Sequence, residues 1–158
     1  MRTFIFKVKL REDRRIWRMI EALEGQTLHD LHKVIQEAYG FDDDHLYSYF
    51  MSGREWDLSG YEYHHPDAAP RDEVEARMRE MAAKIRGRFP EPRLPATEVE
   101  LWSLNLKPKQ RFLYLFDYGD EWLFEVELVG EGVSEEAVYP RVVGSRGDSP
   151  QQYEFYDE

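Results

Sequence analysis

The stretch Arg111-Phe112-Leu113-Tyr114-Leu115-Phe116-Asp117-Tyr118-Gly119-Asp120-Glu121-Trp122-Leu123-Phe124-Glu125-Val126-Glu127-Leu128-Val129 decides the fold class. Two strand-like runs, 111–116 and 121–129, flank the short connection Asp117-Tyr118-Gly119-Asp120. Aspartate and glycine are what a tight connection between antiparallel strands requires, so the pattern predicts a β-hairpin. In the second run Trp122, Phe124, Val126 and Leu128 fall on one face, with Glu125 and Glu127 opposite. One face is therefore buried and the other meets water.

Working outward, the N-terminus repeats the signal. Phe4, Phe6, Val8 and Leu10 alternate with Thr3, Lys7 and Lys9, which predicts a half-buried strand. After the polar turn Arg11-Glu12-Asp13-Arg14, residues 16–23 read as a second strand paired with the first. A helix follows. Thr27 and Asp30 form a capping-box signature, Leu28, Leu31, Ile35, Ala38 and Tyr39 make one apolar stripe, and Gly40 can close the helix with a positive φ. Residues 46–51 read as a third strand, and 56–63 as a further short extended piece. From His64 to Pro70 the chain reads as irregular. Residues 71–86 predict a surface helix with a thin stripe of Val74, Met78, Met81 and Ile85, followed by a stiff linker with Pro90, Pro92 and Pro95. Residues 97–106 lean to a short helix, and the tail beyond Gly130 reads as mainly loop.

The expectation is one α+β domain over 1–158, with residues 71–96 a helical insertion plus proline-rich linker. Its mixed or antiparallel sheet would carry a β-grasp (ubiquitin-like) N-terminal unit of strand, strand, helix and strand, one core helix, one surface helix and the C-terminal hairpin, which would extend or face that sheet.

Composition bounds the function. A chain of 158 residues with 42% hydrophobic and 15% aromatic residues can build a real core. There is no cysteine, so thiolate metal sites, disulfides and cysteine nucleophiles are excluded. The start Met1-Arg2-Thr3-Phe4-Ile5-Phe6-Lys7 meets charges too soon for a secretion signal, and no apolar run has the length of a membrane span. These features point to the cytoplasm. The net charge is −11, and from Asp117 onward twelve acidic residues face only Arg141 and Arg146. Such a surface disfavours direct nucleic-acid binding, which needs Lys and Arg to neutralise phosphates, and suits a basic partner, a cation or simple solubility.

Two stretches carry a resemblance. One is Thr27-Leu28-His29-Asp30-Leu31-His32-Lys33-Val34-Ile35-Gln36, continuing through Ala38, Gly40 and Phe41 to His45-Leu46-Tyr47 and Phe50. The other is Leu113 to Trp122. Together they resemble the plasmid pRiA4b ORF-3-like family, also labelled IS1096 element passenger TnpR proteins. Tyr139-Pro140-Arg141 and Gly147 to Tyr153 are similar to that family's C-terminal segment, while residues 71–87 match least. Phe41 and Tyr118 stand where the family often has Trp and Phe. The resemblance implies a small α+β fold, a plasmid or mobile-element association and no established activity, and it supplies no catalytic residues. The label suggests a resolvase, but the first serine is Ser48 and the C-terminus is acidic, so serine-recombinase chemistry is disfavoured.

Three groups of side chains merit weighing. Asp117, Asp120 and Glu121 cluster at the hairpin, with Tyr114, Phe116, Tyr118 and Trp122 as aromatic walls. Close carboxylates can divide acid and base roles or hold a divalent ion, although turn formation alone explains the aspartates. His29 and His32 lie one helical turn apart, and His45, beside Asp42-Asp43-Asp44, could supply a third metal ligand. Two histidines at this spacing are common, and no metal or other cofactor is expected. The tyrosines Tyr47 and Tyr49, with Trp56, Tyr61 and Tyr63, could line a groove or fill the core. His64-His65 reads as loop surface, and Arg146-Gly147-Asp148 as a coincidental adhesion tripeptide. The candidate site is thus Asp117, Tyr118, Asp120, Glu121, Trp122, His32, His45 and Tyr47.

Three functions compete. The first is a non-catalytic module binding an unidentified protein or peptide on a sheet edge or the acidic end. The second is a metal-dependent hydrolase or nuclease-like enzyme using Asp117, Asp120 and His45, which fails if His45 and Asp117 lie more than about 10 Å apart. The third is an accessory protein of mobile-element DNA transactions.

Overall fold

Alternation in the first ten residues sets the sheet. In the computed structural model, which describes residues 1–57, 61–68 and 94–153, strand β1 spans Arg2–Leu10 and buries Phe4, Phe6, Val8 and Leu10. Strand β2, Trp17–Leu23, folds back antiparallel with Phe6 opposite Ile20 and Phe4 opposite Ala22.

Helix α1, Leu28–Tyr39, begins as its capping box dictates. The Thr27 hydroxyl accepts from the Asp30 N–H, and the Asp30 carboxylate accepts from the Thr27 N–H. It ends where Gly40 takes φ 65°, a conformation open to a residue without Cβ. Strand β3 is Tyr47–Phe50, β4 Glu62–His64 and β5 the short pair Leu94–Pro95. Two 3-10 turns, Ala96–Glu98 and Leu101–Leu104, stand where a short helix was expected. Strands β6, Arg111–Phe116, and β7, Trp122–Val133, pair antiparallel across residues 117–121. Strand β8 is Arg141–Arg146.

The strands form one sheet in the order β5-β4-β3-β6-β7-β1-β2-β8, antiparallel except between β4 and β5. The α+β class is as expected, but this order does not establish a β-grasp unit: β6 and β7 lie between β1 and the strand that follows α1. The reason is complementarity: Leu128, Val126 and Phe124 of β7 lie opposite Phe6, Val8 and Leu10 of β1, so two long alternating strands bury one continuous face. The tail also departs from the expected loop, since β8 adds to β2. The expected surface helix and most of the proline-rich linker lie outside the described residues.

Helix α1 packs on that face with Leu28, Leu31, Val34, Ile35 and Tyr39. Fully buried aromatics such as Phe6, Phe112 and Phe124 each stabilise this layer by about 2–3 kcal/mol. On the opposite face of the sheet a smaller cluster joins Phe50, Leu113 and Leu115 to Trp56, Tyr118 and Leu123. No helix among the described residues is long and apolar enough to cross a membrane.

Candidate functional site

The eight nominated residues do not form one site: His32 and Tyr47 share one place, Asp117 and His45 a second, and the rest turn elsewhere. The first is a polar layer sealed between α1 and the sheet. His32, on the inward side of α1, is fully buried. Its Nε2 lies 2.9 Å from Asp43 Oδ1 and its Nδ1 2.6 Å from the Tyr114 hydroxyl. A carboxylate only accepts, so Nε2 carries the proton and Nδ1 accepts from Tyr114. The Tyr114 oxygen in turn accepts from Gln36 Nε2 at 3.0 Å. The chain of donors thus runs Gln36 to Tyr114 to His32 to Asp43, and it requires a neutral imidazole. Burial pushes the His32 pKa down from 6.5 to about 4, against the pull of Asp43.

Tyr47 builds a second, parallel link. Its ring stacks on His32 at 3.8 Å, and its hydroxyl lies 2.6 Å from His29 Nδ1. Burial also holds the His29 pKa below its ordinary value, helped by Lys33 and His65. Burial raises the Tyr47 and Tyr114 hydroxyls well above the ordinary tyrosine range, so both stay protonated and serve as donors. His65 joins this layer edge-on to Tyr47 at 5.3 Å, and His64 is buried in β4, so the pair is not loop surface. No spacing in the sequence signals this, because it follows from Ser48 of β3 pairing with His64.

The second place is the acidic corner where the 41–46 loop, the 117–121 turn and the C-terminal segment meet. Asp117 is buried and adopts φ 64°, a left-handed conformation that aspartate tolerates. Its Oδ1 accepts from the Gly119 N–H at 3.0 Å and the Asp120 N–H at 3.3 Å, the bonding expected of a turn. Its Oδ2 lies 3.4 Å from His45 Nε2, well inside the 10 Å limit set above. His45 Nε2 also lies 3.4 Å from Asp44 and 2.9 Å from the Tyr153 hydroxyl. Tyr153 donates to Asp44 Oδ2 at 2.7 Å, and that bond pushes its pKa up to about 12.

The remaining nominated residues turn away from this corner. Asp120 enters through its backbone N–H alone. Glu121 accepts from Trp56 Nε1 at 2.8 Å on the opposite face of the sheet. Tyr118 lies there too, its hydroxyl 2.7 Å from Ser48 Oγ and 3.1 Å from the Tyr47 carbonyl. Trp122 packs edge-on against Phe41 at 5.1 Å, and its Nε1 is buried with no hydrogen-bond partner among the described residues. The carboxylates at the turn therefore do not converge.

His29, His32 and His45 do not converge either. His32 spends both ring nitrogens in the helix–sheet layer, whereas His45 belongs to the corner. Among the described residues no group of three or more His, Asp or Glu side chains is arranged to hold a metal ion.

Buried charge on β2 escapes sequence reasoning, since neither residue stands in a motif. Arg18 lies over the Tyr39 ring and donates to the Ala38 and Arg146 carbonyls and to Ser149 Oγ. It thereby serves the C-terminal end of α1, where a cation is favoured. Glu21 accepts from Thr3 at 2.7 Å and from Arg141 at 2.8 Å, which fastens β8 to β2. Those two bonds hold its carboxyl below the usual glutamate range.

The fold is similar to the crystal structure of a protein of unknown function, MM3350 from Methanosarcina mazei Go1. The TM-score is 0.67 and the identity 20%, covering 96% of this chain and 72% of that one. At that identity the likeness concerns the fold alone. No curated protein matches the chain. The family model described as plasmid pRiA4b ORF-3-like protein matches residues 2–153, nearly the whole length, and the chain belongs to that family.

Proposed function

We propose that this protein is a non-catalytic binding module that takes an extended peptide as an added strand on β8. The observation that carries this reading is the outer edge of the sheet. Strand β8 pairs with β2 on one side, and among the described residues no strand pairs with its other side. Val142 and Val143 are 44% and 46% exposed, between Arg141 and Arg146. An open edge with apolar side chains is a template for strand addition. The opposite edge is poorer, because β5 has two residues and one is Pro95, which lacks an N–H.

Charge selects the occupant. Arg141 is already paired with Glu21 at 2.8 Å, so the cation that this edge offers an incoming strand is Arg146. A strand of alternating acidic and β-branched residues satisfies both the arginine and the valines. Direct nucleic-acid contact is not part of this reading, given the net charge of −11.

An NMR titration of the ¹⁵N-labelled protein with a synthetic alternating Glu-Val hexapeptide tests it. Shifts should concentrate in β8 and β2, and Arg146→Glu should weaken binding about fivefold, the scale of one exposed ion pair. Unshifted β8 amides at millimolar peptide, or shifts confined to the acidic corner, would overturn it.

The hydrolase reading keeps one supporting observation, the 3.4 Å approach of His45 to Asp117. Against it, Asp117 Oδ1 is engaged by the turn and the Asp120 side chain takes no part.

A further inference from the structure

We propose that residues 150–153 form a releasable strap, with Tyr153 as its catch, that closes over the Asp117–His45 pair. The segment that leads into the strap is firmly held. Arg18 binds the Arg146 carbonyl and Ser149 Oγ, and Gly147, at φ 81°, passes so close to Ile16 that a Cβ there would sit 2.9 Å from its side chain.

Beyond Ser149 the character of the contacts changes. Gln152 pairs with the backbone of Asp42, accepting its N–H at 2.6 Å and donating to its carbonyl at 3.1 Å. Tyr153 donates to Asp44 and accepts from His45. These are polar contacts at the surface, and no side chain from 150 to 153 belongs to either apolar cluster. Opening the strap therefore exchanges a few hydrogen bonds for bonds to water and exposes only the partly buried Pro150, Gln152 and Tyr153, with no loss from either apolar cluster. A net hydrogen bond is worth about 1 kcal/mol, so such a segment opens at far lower cost than the core.

What the strap covers is specific. His45 Nε2 faces the Tyr153 hydroxyl and the carboxylates of Asp44 and Asp117, with the Phe116 ring edge-on at 5.9 Å. The Tyr153 phenol is nearer to that nitrogen than either carboxylate, at 2.9 Å against 3.4 Å. Withdrawing it leaves an imidazole flanked by two carboxylates open to an incoming group. The strap thus controls access to this corner, and any ligand that reaches His45 Nε2 meets it in the open state.

The Asp42 amide reports directly on closure, because its acceptor is Gln152. In hydrogen exchange of the full chain, Asp42 should exchange through a local opening insensitive to low denaturant, while β6 and β7 amides exchange only with global unfolding. Tyr153→Phe removes the catch and leaves that acceptor in place. It should speed Asp42 exchange about fivefold, the equivalent of one net hydrogen bond, and speed carbethoxylation of His45 by diethyl pyrocarbonate in parallel. The double variant Q152A/Y153A should leave β6 and β7 protection unchanged. The proposal fails if Asp42 is as protected as the core, if Tyr153→Phe changes neither readout, or if the double variant lowers core protection.

Discussion

The layer beneath α1 and the acidic corner use the same residue types to opposite ends. Each has a histidine between a carboxylate and a tyrosine: Asp43, His32 and Tyr114 in one, Asp44, His45 and Tyr153 in the other. Beneath α1 the imidazole is fully buried and every ring nitrogen is used in one direction of donation. At the corner the His45 side chain is 37% exposed, and its tyrosine arrives from a surface segment. Burial, and not residue identity, decides which set acts as a fixed pin and which can open.

The largest expected effect comes from breaking the buried set. His32→Ala strands the Tyr114 hydroxyl, leaves Asp43 without its donor and empties a ring-sized volume against Tyr47. Unpaired buried polar groups and a cavity together predict a loss of about 3–4 kcal/mol in urea unfolding. Tyr114→Phe should cost about 2 kcal/mol, since it keeps the ring and orphans His32 Nδ1 and Gln36 Nε2. A loss below about 1 kcal/mol for His32→Ala would show that the layer is not a pin.

The same histidine sharpens the comparison through pH. Its folded pKa is lowered to about 4 from 6.5, so between those values the unfolded chain binds the extra proton. The stabilisation from keeping His32 neutral is complete above pH 6.5 and is lost as pH falls through the window towards 4. His29, also lowered, acts with the same sign. The shift corresponds to roughly 3 kcal/mol at most. Unfolding free energies measured from pH 7 to pH 4 should fall by an amount of that order, and a His32→Gln background should flatten most of the slope. A slope that survives in that background belongs to other groups.

Much of this was legible in the sequence, unevenly. The Thr27–Asp30 box and Gly40 placed α1 because capping is local chemistry, and alternation exposed β1 and β7 because period two needs no partner to be seen. The insertion of β6 and β7 between β1 and β3 was not legible, since strand order depends on which long alternating faces match. Strand β8 was hidden for a related reason: Arg141, Val142, Val143, Gly144, Ser145 and Arg146 carry no period, and their strand exists through Glu21 and Arg18 of β2. His32 and Tyr47 were nominated singly, yet their joint role needed Tyr114, eighty-two positions from His32 in sequence.

The smallest expected effect discriminates within the turn itself. Asp117 and Asp120 look equivalent in Asp117-Tyr118-Gly119-Asp120, but only the first uses its carboxylate, accepting two backbone N–H groups at 3.0 and 3.3 Å. Asp117→Ala loses both bonds and leaves a Cβ residue without a local partner at φ 64°, so it should cost about 1–2 kcal/mol. Asp120→Ala removes an exposed carboxylate and keeps the backbone N–H through which residue 120 enters the turn, so it should change stability by less than about 0.5 kcal/mol. Thermal unfolding of the two variants side by side separates the readings. Equal losses would mean that the Asp120 carboxylate contributes to the corner. The expected inequality would leave Asp117, of the two turn aspartates, as both the keystone of the turn and the one that faces His45 alongside Asp44.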